Sequence, residues 1–293
     1  MKIAFGTVIY KESFLYLTDY AKSINSQDTT EFDLLLLNDN LDNGEVQHLI
    51  SYFDTHVHLW NGKAGSLPSE LRVELIKRAK KLGYDLLVLG DFDDTFSENR
   101  ISKIQSRYEK NVAFYYNELY YSDRLKSFFE TLPAQTHEID SILECNYLGL
   151  SNTAINLNAI SYELIEKLNV SNGPIFDWFM YSVLLMEGCK GIKVDRCKTY
   201  YRIHENNVAG EISNTLDAVH KEIEVKLMHY EHLKTLYPEF ARLLRLYEKL
   251  RDRLDDSKFD IFPLVKETND FWWGNLKLGQ IGDGTFEIQR QGN

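Results

Sequence analysis

The feature that most constrains this chain is a rhythm in its first ninety or so residues. Four short β-prone runs, Ile3 to Tyr10, Phe32 to Leu37, His56 to Trp60 and Tyr84 to Leu89, alternate with stretches of helical apolar spacing. The second run, Phe32-Asp33-Leu34-Leu35-Leu36-Leu37, is almost wholly apolar and halts at Asn38-Asp39-Asn40. A strand buried on both faces reads that way, and such strands belong to parallel sheets covered by helices. Between the runs, Phe14 to Ser26, Glu45 to Phe53 and Pro68 to Leu82 supply three crossover helices. The alternation predicts a doubly wound, mostly parallel α/β sheet. Ligands of such sheets sit at the carboxyl ends of the strands. Tyr10-Lys11-Glu12, Asn38-Asp39-Asn40 and Asp91 to Asp94 fall at those ends, so the loops should carry the chemistry.

The middle of the chain is less regular. Val112 to Tyr121 is β-prone, Leu148 to Asn158 is rich in Asn and small residues, and Ser161 to Leu168 is helical. Asp177 to Met186 reads as a buried helix and Lys193 to Arg202 as a last strand. From about Thr215 apolar residues recur every three or four positions, from Val219 and Ile223 to Leu250 and Leu254, with a break at Pro238. These are long amphipathic helices. A boundary is placed near residue 212, giving a domain over 1–212 and a helical extension with tail over 213–293. The tail from Phe271 has no clear period.

Charge narrows the function classes. With 33 basic against 44 acidic side chains the net charge is −11, which argues against broad nucleic-acid binding. Cys145, Cys189 and Cys197 make neither a disulfide framework nor a zinc spacing. The amino terminus runs straight into a strand without a signal-peptide core, and no apolar run approaches the roughly 20 residues of a membrane span. A cytoplasmic protein is expected, and the Leu- and Arg-containing helices after residue 215 admit contact with the inner face of a membrane.

Three constellations could carry chemistry. Asp91-Phe92-Asp93-Asp94 follows a buried strand, and carboxylates two apart on a turn can converge on Mg²⁺ or Mn²⁺; an ordinary acidic turn is the alternative. In Tyr200-Tyr201-Arg202-Ile203-His204-Glu205-Asn206-Asn207, the His and Arg leaving a strand could join a metal or a pyrophosphate, or form a plain surface loop. Asp177 before Trp178 opens an apolar helix, where an Asp is usually an N-cap worth about 1 kcal/mol. Arg72 lies in the helix before the Asp91 strand, where a solvated side chain is the ordinary expectation.

In their order and spacing these elements resemble the GT-A glycosyltransferases of family 2, over about residues 1–212. Members of that family open with a strand ending near a Tyr, as in Gly6-Thr7-Val8-Ile9-Tyr10. An acidic pair follows at Asn38-Asp39, then an Arg before the DxD strand at Arg72 and Asp91-Phe92-Asp93, then an Asp opening a helix at Asp177. A YRxHxxNxxG-like stretch closes the set, here Tyr201 to Gly210. The last two features are similar to a bacterial subgroup that builds surface polysaccharides. Lys11 stands where the family often has Asn, Asn38 replaces the first acid, and no Glu precedes Asp177.

The resemblance implies a GT-A fold, Rossmann-like, with a helical extension, and a metal-dependent, inverting transfer from a nucleotide-diphosphate sugar. UDP is the default nucleotide, and the acceptor is a saccharide or lipid-linked hydroxyl. It assigns Thr7, Tyr10, Asp39, Arg72, Asp94 and Arg202 to the nucleotide sugar, and Asp91, Asp93 and His204 to the metal, Mn²⁺ or Mg²⁺. Asp177 becomes the base, with Glu205 the next candidate, and Trp178 a face for a sugar ring. Two other readings stay open. Asp91-Phe92-Asp93-Asp94-Thr95 also resembles the DxDxT motif of haloacid-dehalogenase-type phosphatases, with Gly282-Asp283-Gly284 as a late acidic motif. That motif normally lies on the first strand, whereas here a full βαβ half precedes it. The other alternative is a non-catalytic sugar-nucleotide binder.

Overall fold

The computed structural model describes residues 1–124, 126–169, 175–205, 207–209, 213, 215–254, 261, 264–266 and 270–276. Asn206, Gly210 and Gly282 to Gly284 of the sequence patterns lie outside the described residues. The chain divides into two compact units, Met1–Ser141 with Leu148–Asn207, and Ile142–Tyr147 with Val208–Asn293. No change of composition marked the middle segment that joins the second unit.

The first unit follows the expected rhythm: β1 (Ile3–Ile9), α1 (Leu17–Asn25), β2 (Asp33–Asn38), α2 (Asn43–Ile50), β3 (Val57–Asn61), α3 (Pro68–Lys81) and β4 (Leu86–Leu89). Then come β5 (Thr95–Phe96), α4 (Arg100–Ser106), β6 (Phe114–Tyr121), β7 (Gln135–Thr136), β8 (Thr153–Asn156), α5 (Tyr162–Lys167), α6 (Phe176–Met186) and β9 (Gly191–Tyr201). The strands form one sheet in the order β3-β2-β1-β4-β8-β6-β9-β5, with β7 also on β9. The β3, β2, β1 and β4 strands are mutually parallel, and β6 is parallel to β9; β8, β5 and β7 run against their neighbours. The fold is thus mixed α/β with a mostly parallel central sheet. Phe5, Leu34, Leu36, Leu86 and Val88 are wholly buried between sheet and helices.

Local chemistry sets the element ends. Asp42 accepts the Glu45 N–H at 2.8 Å while Glu45 accepts the Asp42 N–H at 3.0 Å, a reciprocal cap that starts α2. Pro68 takes the first position of α3, where a missing N–H costs nothing. Where one helix was expected from Phe14, residues Lys11–Leu15 instead make a 3₁₀ turn before α1. Ser13 closes it, its hydroxyl accepting the Tyr10 N–H at 3.0 Å and its carbonyl the Tyr16 N–H at 3.1 Å.

The Asn-rich stretch conceals β8, wholly buried between β4 and β6. Its amides are not turn formers but satisfied core groups: Asn156 Nδ2 donates to Val112 O at 2.8 Å, and Asn152 Nδ2 to Asn117 O at 3.2 Å.

In the second unit α7 (Leu216–Leu236) and α8 (Phe240–Leu254) flank Pro238 and turn their apolar stripes on each other. Tyr230 lies 6.2 Å from Phe240 and 5.6 Å from Tyr247, ring centre to ring centre. Among the described residues no helix is long and apolar enough to cross a membrane.

Candidate active site

The site grows out of the end of β4. The chain turns sharply at Gly90, where a Cβ would fall 2.5 Å from Phe96 Cζ and 2.8 Å from Phe5 Cζ, so only glycine fits. Asp91 to Asp94 then form a turn, closed by the Asp94 N–H on the Asp91 carbonyl. The next two residues are β5, which pairs with β9 at Thr95↔Tyr200. That short pairing delivers the distant Arg202-His204 stretch to the acidic turn.

The contacts there are specific. His204 Nε2 lies 2.8 Å from Asp93 Oδ2, and the His204 ring stacks on Tyr16 at 5.8 Å. Arg202 donates its backbone N–H to Asp94 at 2.9 Å, its Nε to the Asp93 carbonyl at 2.9 Å and its Nη2 to Asp19 at 2.9 Å. From the other side, Arg72 of α3 reaches Asp91 Oδ1 at 3.1 Å. The helical Arg expected to be solvated is therefore part of the cluster.

Burial sets the electrostatics. Burial, then the neighbouring Asp91 charge, pushes the Asp93 carboxyl up, with His204 pulling it back. Asp94 is raised well above the usual carboxylate range by burial and by Asp93, and its Oδ2 has no hydrogen-bond partner. Asp177 is pushed up to about 7, chiefly by burial; the Trp178 N–H and Arg72 oppose the rise and Asp91 adds to it. A base poised near neutrality beside a cluster of charges is a recurrent property of active sites. Tyr10, at the end of β1, is raised by burial and then by Asp93 and Asp91, so it shares the same field. Asp39, half-buried, sits at the same sheet edge, its N–H on the Ile9 carbonyl at 2.8 Å. Asn38 does not replace an acid in function: its amide bonds Leu41 and Asn61 and closes the turn.

Several expectations need correction. Trp178 is 0% exposed within α6, whose buried residues run from Phe176 to Leu185, so it offers no face to a sugar. Thr7 is buried within β1 at 3% exposure. Asp94, also buried, holds the end of β9 in place of facing the cleft. Asp177 is the second residue of α6, not its N-cap, and its Oδ1 accepts the Trp178 N–H at 2.6 Å. Asp91, Asp93 and His204 do not form one ligand set, because Asp91 is held by Arg72; the pair Asp93–His204 remains.

Sequence reasoning missed a buried polar relay that fixes the turn. Arg100 is fully buried and donates to Asn117 Oδ1 at 3.0 Å, Leu89 O at 2.9 Å and Thr153 O at 3.1 Å. Asn117 donates to Thr199 Oγ1, Thr199 to the Ser151 carbonyl, and Ser151 Oγ accepts the Asp91 N–H at 2.8 Å. An Arg after an exposed-looking Ser-Glu-Asn run gives no sign of burial; only its neighbours in space do.

No family model matches the sequence, and no curated protein matches it. Solved structures do match. Residues 1–349 of TarS from S. aureus, in complex with UDP-GlcNAc, align with a TM-score of 0.60 at 14% identity, over 91% of this chain and 77% of that one. The chain has the GT-A fold. The mannosyltransferase PcManGT from Pyrobaculum calidifontis, with GDP-Man and Mn²⁺, aligns at 0.51 and 10% identity, over 88% of this chain and 76% of that one. GalNAc-T7 with UDP, GalNAc and Mn²⁺ aligns at 0.52 and 11% identity, over 87% and 54%. In this GT-A chain the acidic turn and the Tyr10–Asp39 edge lie at the carboxyl ends of β1, β2 and β4, where such sheets bind ligands, and Asp177 of α6 lies in the field of Arg72 and Asp91.

Proposed function

We propose that the chain is a metal-dependent, inverting glycosyltransferase of the family 2 type. It would transfer a sugar from a nucleotide diphosphate to a hydroxyl of a saccharide or lipid-linked acceptor in polysaccharide assembly. The observation that carries the reading is the cluster after β4, where His204 meets Asp93 at 2.8 Å and Arg72 meets Asp91 at 3.1 Å, with the Asp177 carboxyl, pushed up to about 7 chiefly by burial, in the field of the same groups. A phosphatase of the DxDxT type would carry that motif on its first strand, whereas Asp91 follows β4 with three strands before it.

Asp93 and His204 fit a divalent ion. The Asp93 carboxyl is raised by burial, a cost that a cation relieves, and His204 Nδ1 is buried without a hydrogen-bond partner. Asp91 stays with Arg72, so Asp93 and His204 are the groups that would hold Mn²⁺ or Mg²⁺. When bound, the ion supplies positive charge beside the diphosphate that leaves. Asp39 accepts an N–H of the base, Tyr10 lines the nucleoside, and Arg72 and Arg202 add charge to the diphosphate. Asp177, ionised, takes the proton of the acceptor hydroxyl. The acceptor oxygen forms a bond to the anomeric carbon as the carbon–oxygen bond to the diphosphate breaks. One base and one displacement invert the centre.

A panel of UDP- and GDP-sugars, read by nucleoside-diphosphate release with and without Mn²⁺, tests the proposal. Release that needs Mn²⁺ and an acceptor sugar supports it. Inorganic phosphate from simple phosphomonoesters would support the phosphatase, and tight binding without turnover the binder.

A further inference from the structure

At the opposite edge of the sheet lies a second group of ligating side chains that the transfer reaction does not use. Asp33 opens β2, and His56 and His58 stand at the start of β3. Residues two apart on a strand share a face, so both imidazoles point the same way. The parallel register Leu35↔His58 sets Asp33 beside them. Asp33 Oδ1 lies 3.0 Å from His56 Nδ1, and Asp33 Oδ2 lies 3.7 Å from His58 Nε2. Among the described residues this is the one set of three ligand atoms within 4.8 Å of one another.

We propose that Asp33, His56 and His58 bind a borderline transition-metal ion, Zn²⁺ first. Zinc accepts imidazole nitrogen and carboxylate oxygen at about 2.0–2.2 Å in a tetrahedron, which puts neighbouring ligand atoms roughly 3.3 Å apart. Asp33 turns a different oxygen to each imidazole, at 3.0 and 3.7 Å, separations close to that value. Two imidazoles with one carboxylate disfavour Mg²⁺, which takes oxygen donors. Tyr84 donates its hydroxyl to Asp33, the outer bond that typically orients a ligating carboxylate. The adjoining cleft carries Glu31 and Asp54 as further acids, with Lys2 the opposing base. The His56 side chain is 68% exposed, which leaves the fourth position open to water.

The site ties the start of β3, the edge strand of the sheet and only half-buried, to β2. It lies about 17 Å along β2 from the edge where Asn38 and Asp39 sit. Its ion is thus separate from the one proposed at Asp93.

The test uses the whole chain, stripped with a chelator and titrated calorimetrically with Zn²⁺ while excess Mg²⁺ occupies the carboxylate-rich site. One Zn²⁺ per chain, micromolar or tighter, is expected, with a rise in melting temperature. His58→Ala and Asp33→Asn should each weaken it at least 100-fold or so, since loss of even an outer partner costs about 10–100-fold. His56→Ala, at the exposed position, keeps the test valid if the other two fail to fold. Asp93→Asn should leave the tight site intact. A wild type that binds Zn²⁺ no tighter than about 0.1 mM overturns the proposal. So does a tight site that survives His56→Ala, or one lost with Asp93→Asn.

Discussion

As the proposed base, Asp177 would be costly to the fold and useful to the chemistry. Its folded pKa, about 7, lies above the unfolded value, so the folded chain holds its proton more tightly. The stabilisation linked to that proton is complete below about pH 4 and is lost as pH rises through 7. Ionised in the folded state, the group costs up to roughly 4 kcal/mol. Asp177→Asn should therefore melt higher than wild type at pH 8, with the gap narrowing toward pH 5, by melting curves at both values. The same change should lower transfer by about 10²–10⁴-fold while nucleotide binding survives. Wild-type kcat/KM should rise with pH through about 7, and the variant should lack that step. Asp93→Asn behaves differently: it removes the charge opposite His204, so titration with UDP should show the Mn²⁺-dependent part of the affinity abolished.

At the scale of elements, buried polar networks hold strands and helices in place. Arg100 joins α4 to β4, β6 and β8 through three bonds, and stays charged at neutral pH even though burial lowers its pKa to about 10. Arg100→Met leaves Leu89 O, Thr153 O and Asn117 Oδ1 without their donor. Urea unfolding should record a loss of about 3–5 kcal/mol, and Arg100→Lys should not restore it, because lysine lacks the planar fork. In the second unit Glu222 and Lys226, one helical turn apart on α7, are both fully buried and 2.7 Å apart. Lys226 also donates to Tyr247 and to Leu276 O, while Glu222 accepts the N–H groups of Asn275 and Leu276. The pair thus binds α7 to α8 and to the 270–276 segment. Lys226→Met should cost about 3–5 kcal/mol by leaving the carboxylate uncompensated. A double change of Glu222 and Lys226 to methionine should recover part of that loss in a double-mutant cycle, by calorimetric melting.

At the scale of the molecule, the acidic net charge bears on the proposed metal dependence. The chain carries −11, and the two arginines at the site are already paired, Arg72 with Asp91 and Arg202 with Asp19. On the proposed reading Arg72 and Arg202, each shared with a carboxylate, would offer a diphosphate only part of their charge, and the ion would supply the rest. UDP or GDP alone should leave the melting temperature almost unmoved. With Mn²⁺ and nucleotide at about a hundred times the dissociation constant, stabilisation should reach about 2.7 kcal/mol. For a chain of this size that is a rise of several degrees. A shift of equal size without Mn²⁺ would argue against metal-dependent binding.

Much of this was legible in the residues. Apolar runs halting at polar clusters determined the four leading strands and their parallel sense, because both periodicity and burial follow from side chains near in sequence. Asp93, His204 and Asp177 stood out by residue type at the ends of elements. What only tertiary structure decided lies in long-range pairing. The two-residue β5 is too short to carry a period, yet its ladder with β9 joins Asp93 to His204. Asn152, Asn156, Arg100, Glu222 and Lys226 are polar residues with no local sign of burial, and each is buried with a partner distant in the chain. Trp178 went the other way, an aromatic at the start of a helix that the fold enclosed. Polarity along the chain reports what a side chain needs, and only the packed structure supplies the partner that meets the need in the absence of water.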